Sequence, residues 1–300
     1  MLLYMKRIGA FFIGLAIGSV LAAVAVGGGL DLTLRSREKD SGQPQFTDVT
    51  WDPQKTVLIV CDMWDAHWCK SAARRVGEMA GPLDETIKAA RQLGIQIVHA
   101  PSLVTEYYAN TPQRARAQNA GVVDLPDSPK VMQGWESGWC SLDESVEGQL
   151  PIDDSNGGCS CEKPKCVDVK PWPWTRQIET IEIFPEDALS DDGKEIWFLM
   201  EERGIENVIL TGVHLNICVL SRPFGIRQMV RTGKNVVFMR DMTDTMYGPS
   251  SAPEVDHFMG TDLVIAHVER HWAPSIISTE FSGQDAFRFA EDRRLDTESD

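Results

Sequence analysis

The chain has 300 residues, 43% of them hydrophobic, and a formal net charge of −15. That excess of acid excludes nucleic acid and anionic surfaces as electrostatic partners, because phosphate binding needs concentrated Lys and Arg. The length allows one substantial domain with its own core, and no internal repeat is visible.

Lys6 and Arg7 precede an uncharged run from Ile8 to Leu30, long enough at about 1.5 Å per residue to span a ~30 Å hydrocarbon core. Residues 1–30 therefore read as a hydrophobic helix serving as membrane anchor or signal segment, with cleavage after Ala23-Val-Ala25 left open. The positive flank places the following domain outside the cytoplasm. Residues 31–53 turn polar and read as a linker, and residues 54–285 as the globular domain. Thr56 to Asp62, TVLIVCD, is an apolar, β-branched run ending in a carboxylate, the pattern of a parallel strand covered on both faces.

Past that strand stand Trp64, Asp65 and His67, with His99 ending a second expected strand, Ile95 to His99. Asp65, His67 and His99 could converge as ligands of a divalent metal such as zinc; otherwise they shape a pocket. Glu78 to Leu93 is expected as a helix whose Met79, Leu83 and Ile87 cover the sheet. Arg114 and Arg116 follow in a loop where an arginine could clamp a carboxylate. Residues 121–177 form an excursion rich in Gly, Pro, Trp and Cys, a lid or partner surface. Its Cys159, Cys161 and Cys166 have C-x-C-x4-C spacing, unlike the paired C-x2-C of structural zinc. Export would oxidise them, with Cys140 joined to one of the three as the preferred pair. Trp135, Trp139, Trp172 and Trp174 either pack the excursion down or line a pocket.

Ile178 to Phe184 is expected as a strand, Asp191 to Gly204 as a helix, Asn235 to Arg240 as a strand, Asp256 to His271 as a helix and Ser275 to Ser278 as a last short strand. His257, His267 and His271 would be surface or interface residues, and 286–300 a charged tail. The βα rhythm predicts a doubly wound α/β domain with a mostly parallel sheet and helices on both faces.

Asn207 to Arg222, NVILTGVHLNICVLSR, organises this plan: a buried strand, a tight turn at Gly212, and Cys218 at the start of a helix. A thiol there feels unpaired N–H groups and the positive helix end, which lower its pKa and make a nucleophile; on this stretch alone Cys218 reads equally as a small core residue. Ligands of open parallel sheets sit outside the carboxyl ends of strands, so Asp62 and Cys218 would open onto one crevice.

In VLIVCD, GIENVILTGVHLNICV and NVVFMRDMTD, the sequence resembles the isochorismatase-like cysteine hydrolases, the superfamily of nicotinamidases and ureidoacrylate amidohydrolases, from about Thr56 to Ser278. The resemblance implies a three-layer α/β fold and an Asp–Lys–Cys triad acting on a small amide or a related C–N or vinyl-ether substrate. It makes Asp62 the base, Cys218 the nucleophile and Val213–His214 a cis peptide, with nearby backbone N–H groups as oxyanion hole. The family's lysine has no counterpart: its region reads IETIEIFPEDALSDDG, with Glu182 and Glu186 as the nearest polar residues and Lys194 too far along. Expected partners are a small-molecule substrate, the membrane through residues 1–30, and further copies of the chain. A scaffold that has lost turnover and a metal-assisted hydrolase remain the alternatives.

Overall fold

The computed structural model describes residues 28–294. Most of the expected anchor, residues 1–27, and the end of the charged tail, residues 295–300, lie outside the described residues. Among those described, no helix is long and apolar enough to cross a membrane.

The strands are β1 (Leu30–Arg37), β2 (Pro44–Trp51), β3 (Thr56–Cys61), β4 (Gln96–Ala100), β5 (Ala188–Leu189), β6 (Asn207–Val213), β7 (Asn235–Asp244) and β8 (Ser275–Ile276). The helices are α1 (Lys70–Gln92), α2 (Pro112–Gln118), α3 (Pro129–Ser137), α4 (Glu144–Glu147), α5 (Gly193–Glu202), α6 (Ile226–Arg231), α7 (His257–His271) and α8 (Thr279–Ser282). All eight strands join one sheet in the order β2-β1-β8-β7-β6-β3-β4-β5.

Every residue of β3, β4 and β6 is buried, as their largely apolar runs lead one to expect of strands covered on both faces. β3 pairs in parallel with both β4 and β6, and β6 with β7. This brings the carboxyl ends of β3 and β6 side by side, Cys61 opposite Gly212. β1 runs antiparallel to β2 and to β8, so the sheet is mixed at that edge.

α1 packs Val76, Met79, Leu83 and Ile87 against Leu58, Val60, Ile97 and Ile209 on one face. On the other face, Ile196 and Met200 of α5, Met229 of α6 and Val264 of α7 meet Val57, Ile59, Val208 and Leu210. The three-layer expectation is met.

Several boundaries need correction. Residues 31–53 are not a linker but the hairpin β1–β2; the period-two Leu30, Leu32 and Leu34 turn inward while the hairpin's second strand stays largely exposed at the sheet edge. α1 begins at Lys70, before the expected Glu78, and runs through Pro82. Ile178 to Phe184 is not a strand. Ile178 N donates to the Met63 carbonyl and Ile181 N to the Ile178 carbonyl, a turn, and the sheet is extended instead by the two-residue β5. The segment after Cys218 breaks at Pro223 and resumes as α6.

His257 and His267 are not surface residues. His257 Nε2 lies 2.8 Å from Asp244 Oδ1, and Arg75 Nε on α1 donates to Asp244 Oδ2 at 2.7 Å. Burial would raise the Asp244 pKa, but Arg75 and His257 outweigh it and hold the carboxyl well below its usual range. His267 Nε2 lies 3.1 Å from Glu147, which also takes the Arg227 guanidinium at 2.7 and 2.8 Å. These two carboxylates tie α1, α4, α6 and α7 to the sheet and to the excursion.

Two outcomes follow for stability. Leu83→Ala removes a fully buried side chain from the α1 face and should lower the unfolding free energy by about 2–5 kcal/mol. Asp244→Ala leaves Arg75 buried without its anion and should cost roughly 3–5 kcal/mol. Urea titration followed by far-UV circular dichroism measures both; losses under about 1 kcal/mol would contradict this packing.

Candidate active site

Asp62 follows directly on β3 and adopts φ +50, a left-handed conformation uncommon for a residue with a side chain. Such backbone persists where surrounding structure over-determines it, and it clusters at functional sites. Oδ1 accepts the Ser102 N–H at 2.6 Å, which fixes the carboxylate's orientation. Oδ2 is buried with no hydrogen-bond partner.

Beside it, β6 has Gly212 as its penultimate residue at φ +97, where a Cβ would lie 2.1 Å from the Cys61 carbonyl oxygen. Only glycine allows that approach between the strand tips. The Val213–His214 peptide is cis. A five-residue π-type turn, Leu215–Val219, then carries Cys218, which keeps 6% of its surface open while Asp62 keeps none.

The sulfur bears on the Asp62 carboxylate, and so does a third group. Arg222 N donates to the Cys218 carbonyl at 2.9 Å, one turn on, and the Arg222 side chain returns along that turn to place Nε 3.5 Å from Asp62 Oδ2. Arg222 Nε is itself buried without a hydrogen-bond partner, as is His214 Nε2. The Trp139 ring lies 5.6 Å from the guanidinium. Three buried polar atoms without a hydrogen bond, two of them facing each other as an ion pair, thus lie near one partly open thiol.

The expectation of a lowered thiol pKa is overturned. Burial pushes Cys218 well up, the Asp62 carboxylate pushes it further, and Arg222 only partly offsets them. Burial likewise raises Asp62 above the usual carboxylate range, against the pull of Arg222. At neutral pH the proton therefore rests on the pair, with the guanidinium charged beside it.

The remaining sequence candidates separate into those at the site and those away from it. Trp64 stacks on Trp174 with ring centres 4.2 Å apart, Trp174 on Trp172 at 5.1 Å, and His67 on Trp174 at 5.5 Å. His67 also meets His214 edge-on at 5.2 Å, so these rings wall the site on the excursion side. Burial lowers the His67 pKa to about 4, leaving it neutral.

Asp65, His67 and His99 are not brought together as a metal site. Asp65 accepts from Thr175 N at 2.8 Å and Thr175 Oγ1 at 2.6 Å, which secures the excursion's end. His99 spends both ring nitrogens, on Gln177 Oε1 and Asp187 Oδ2, each at 3.1 Å, and Arg91 closes on Asp187 at 2.8 Å. Among the described residues these three do not converge as metal ligands. Glu182 is exposed and lies 3.6 Å from Lys88, on the rim of a separate cavity of about 400 Å³ lined by Tyr107, Arg176 and Phe184. Arg114 pairs with Glu195, and Arg116 donates to the Asp187 carbonyl at 3.1 Å, so neither is a substrate clamp. All seven cysteines are free, and Cys140 faces Gln228 Oε1 at 3.2 Å instead of joining the cluster.

Arg222 is the residue the sequence reading passed over, although it closes the organising stretch. Its i+4 spacing from Cys218 on a helical turn was the available signal.

No protein-family model matches the sequence, and no curated protein matches it. Among solved structures, the chain is similar to a cysteine hydrolase from Pseudomonas syringae pv. phaseolicola 1448A, with 13% identity and a TM-score of 0.46 over 78% of this chain and 94% of that one. It is also similar to an isochorismatase family protein from Burkholderia thailandensis (11%, 0.42, 77% and 95%) and to an isochorismatase from Pseudomonas putida KT2440 (12%, 0.44, 77% and 91%). The chain is structurally similar over most of its length to isochorismatase-family cysteine hydrolases, at low sequence identity.

Proposed function

We propose that the protein is a cysteine hydrolase that cleaves a small amide, or a related C–N or vinyl-ether substrate, with Cys218 as nucleophile, Asp62 as proton shuttle and Arg222 as the fixed cation. What supports the reading is the convergence beside two adjacent strand ends of a thiol, a buried carboxylate oxygen and a buried guanidinium N–H, the last two in ion-pair contact but with no hydrogen bond.

For an amide, Asp62 takes the Cys218 proton as sulfur attacks the carbonyl carbon, and backbone N–H groups around His214 and Cys218 hold the oxyanion. The C–N bond breaks, and Asp62 returns the proton to the leaving nitrogen. Water then attacks the thioester with Asp62 again as base, freeing the acid and the thiol. Arg222 takes the part that the resemblance gives to a lysine. It offsets the negative charge that passes between carboxylate and sulfur, and as guanidinium it stays protonated throughout.

The wall of Trp64, Trp174 and His67 suits a flat, small substrate lodged between the excursion and the strand tips. The uncharged run behind Lys6 and Arg7 supports a location for this site outside the cytoplasm, tethered at the membrane.

Two measurements test the roles. Cys218→Ala should abolish turnover across a panel of small amides, and Asp62→Asn should lower it by about 10²–10⁴-fold. Iodoacetamide labelling, read on the Cys218 peptide by mass spectrometry, should rise with pH through a midpoint above the ~8.5 of an ordinary thiol. Asp62→Asn removes the anion that raises the thiol, so it should label faster at pH 7 than the native chain while losing activity. Arg222→Gln should label more slowly, with Arg222→Lys between it and native. Equal labelling rates in all four proteins would sink the coupled site.

A further inference from the structure

Away from the thiol of the proposed site, a second group of sulfurs gathers where the excursion meets the helix layer. Cys69 sits at the N-cap of α1; Cys159, Cys161 and Cys166 belong to one excursion loop. The sulfurs of Cys69, Cys159 and Cys161 all lie within 4.8 Å of one another, and among the described residues this is the one such group of potential ligands. Cys166 stands beside this group, its sulfur 3.5 Å from that of Cys161, while Cys69 and Cys161 are 3.8 Å apart; a metal would draw it in as the fourth ligand. A disulfide needs about 2.05 Å. A tetrahedron with Zn–S bonds of about 2.3 Å has sulfur–sulfur edges of about 3.8 Å.

The surroundings suit thiolates. Ser71 N and Oγ lie 3.3 and 3.1 Å from the Cys161 sulfur, at the start of α1. Hydrogen-bond donors directed at ligand atoms are the usual outer layer of a structural metal centre. The loop is also held tightly: Gly158 has φ +66, and a Cβ there would lie 2.1 Å from the Met246 carbonyl oxygen. Lys165 Nζ closes the loop onto the Cys159 carbonyl at 2.8 Å. Apart from sulfur, Met246, Trp68 and Ile217 pack around the group and restrict water.

We propose that Cys69, Cys159, Cys161 and Cys166 form a structural tetrathiolate site for a zinc ion. Four thiols release their protons, four S–Zn bonds form, and nothing is oxidised or reduced. The ion fastens the excursion to the end of the segment that begins at Asp62 and carries Trp64 and His67. It thereby fixes the aromatic wall from below. C-x-C-x4-C supplies three ligands from one loop, and the fourth comes from the N-cap of a helix some ninety residues earlier, so no paired C-x2-C motif is required.

Zinc content of the full chain, purified without a metal-chelating tag, should be one equivalent by plasma mass spectrometry. Co²⁺ in its place should give the intense thiolate-to-metal charge-transfer band and the visible bands of a tetrahedral four-sulfur centre, with the charge-transfer intensity falling by about a quarter in Cys166→Ser. Chelator-driven release should expose four further thiols per ion to a thiol reagent, a count that does not depend on any variant folding. Export would make oxidation the competing fate of these sulfurs. Non-reducing peptide mapping that finds Cys69, Cys159, Cys161 or Cys166 in disulfides in the purified chain overturns the proposal. So does a chain that binds less than a tenth of an equivalent of added Zn²⁺ with all four thiols reduced.

Discussion

The buried carboxylate of Asp62 is the constraint around which the strand tips are arranged. Stripping an ionised carboxyl of water costs several kcal/mol even after relaxation. A cation about 4 Å away returns on the order of 4 kcal/mol at an effective dielectric near 20. The two oppose each other, and the direction of the Asp62 shift says that burial prevails. The Ser102 N–H on one oxygen and the guanidinium beside the other fix the orientation of the carboxylate.

A second layer of ion pairs carries that arrangement. Arg75–Asp244–His257, Arg227–Glu147–His267 and Arg91–Asp187–His99 each join a helix to a strand end or to the excursion. Each consumes a histidine, which explains why residues that resemble ligands or surface groups in sequence are neither. Buried pairs of this kind add little net stability, but removing one partner is expensive, so they fix register where the apolar layers alone would tolerate sliding.

The central strands were legible because a parallel strand covered on both faces is built mainly from apolar residues, as VLIVC shows. The place of Asp62 directly after β3 was legible for the same reason, since a polar group ending such a run has a defined position. β1 and β2 were not, because an edge hairpin exposes most of its side chains and its composition is that of a linker; only the Leu30, Leu32, Leu34 alternation betrayed it. The partners of His99 and Asp65 lie 78 to 111 positions away, at separations that no local pattern encodes. Arg222 was misjudged because the expected cation was sought upstream, whereas the chain supplies it one turn downstream of the sulfur. The thiol's pKa was misjudged because the helical turn's field is weaker than the combined effect of desolvation and a neighbouring anion.

The choice of guanidinium over ammonium at this place has a chemical corollary. A thioester is an acylating agent, and a primary amine held against it can capture the acyl group irreversibly whenever it loses its proton. Arginine keeps its charge at any pH a folded chain survives and offers no free lone pair. A covalent intermediate on Cys218 would thus be shielded from self-acylation by its own counterion, and agents that poison lysines would find no purchase beside the sulfur.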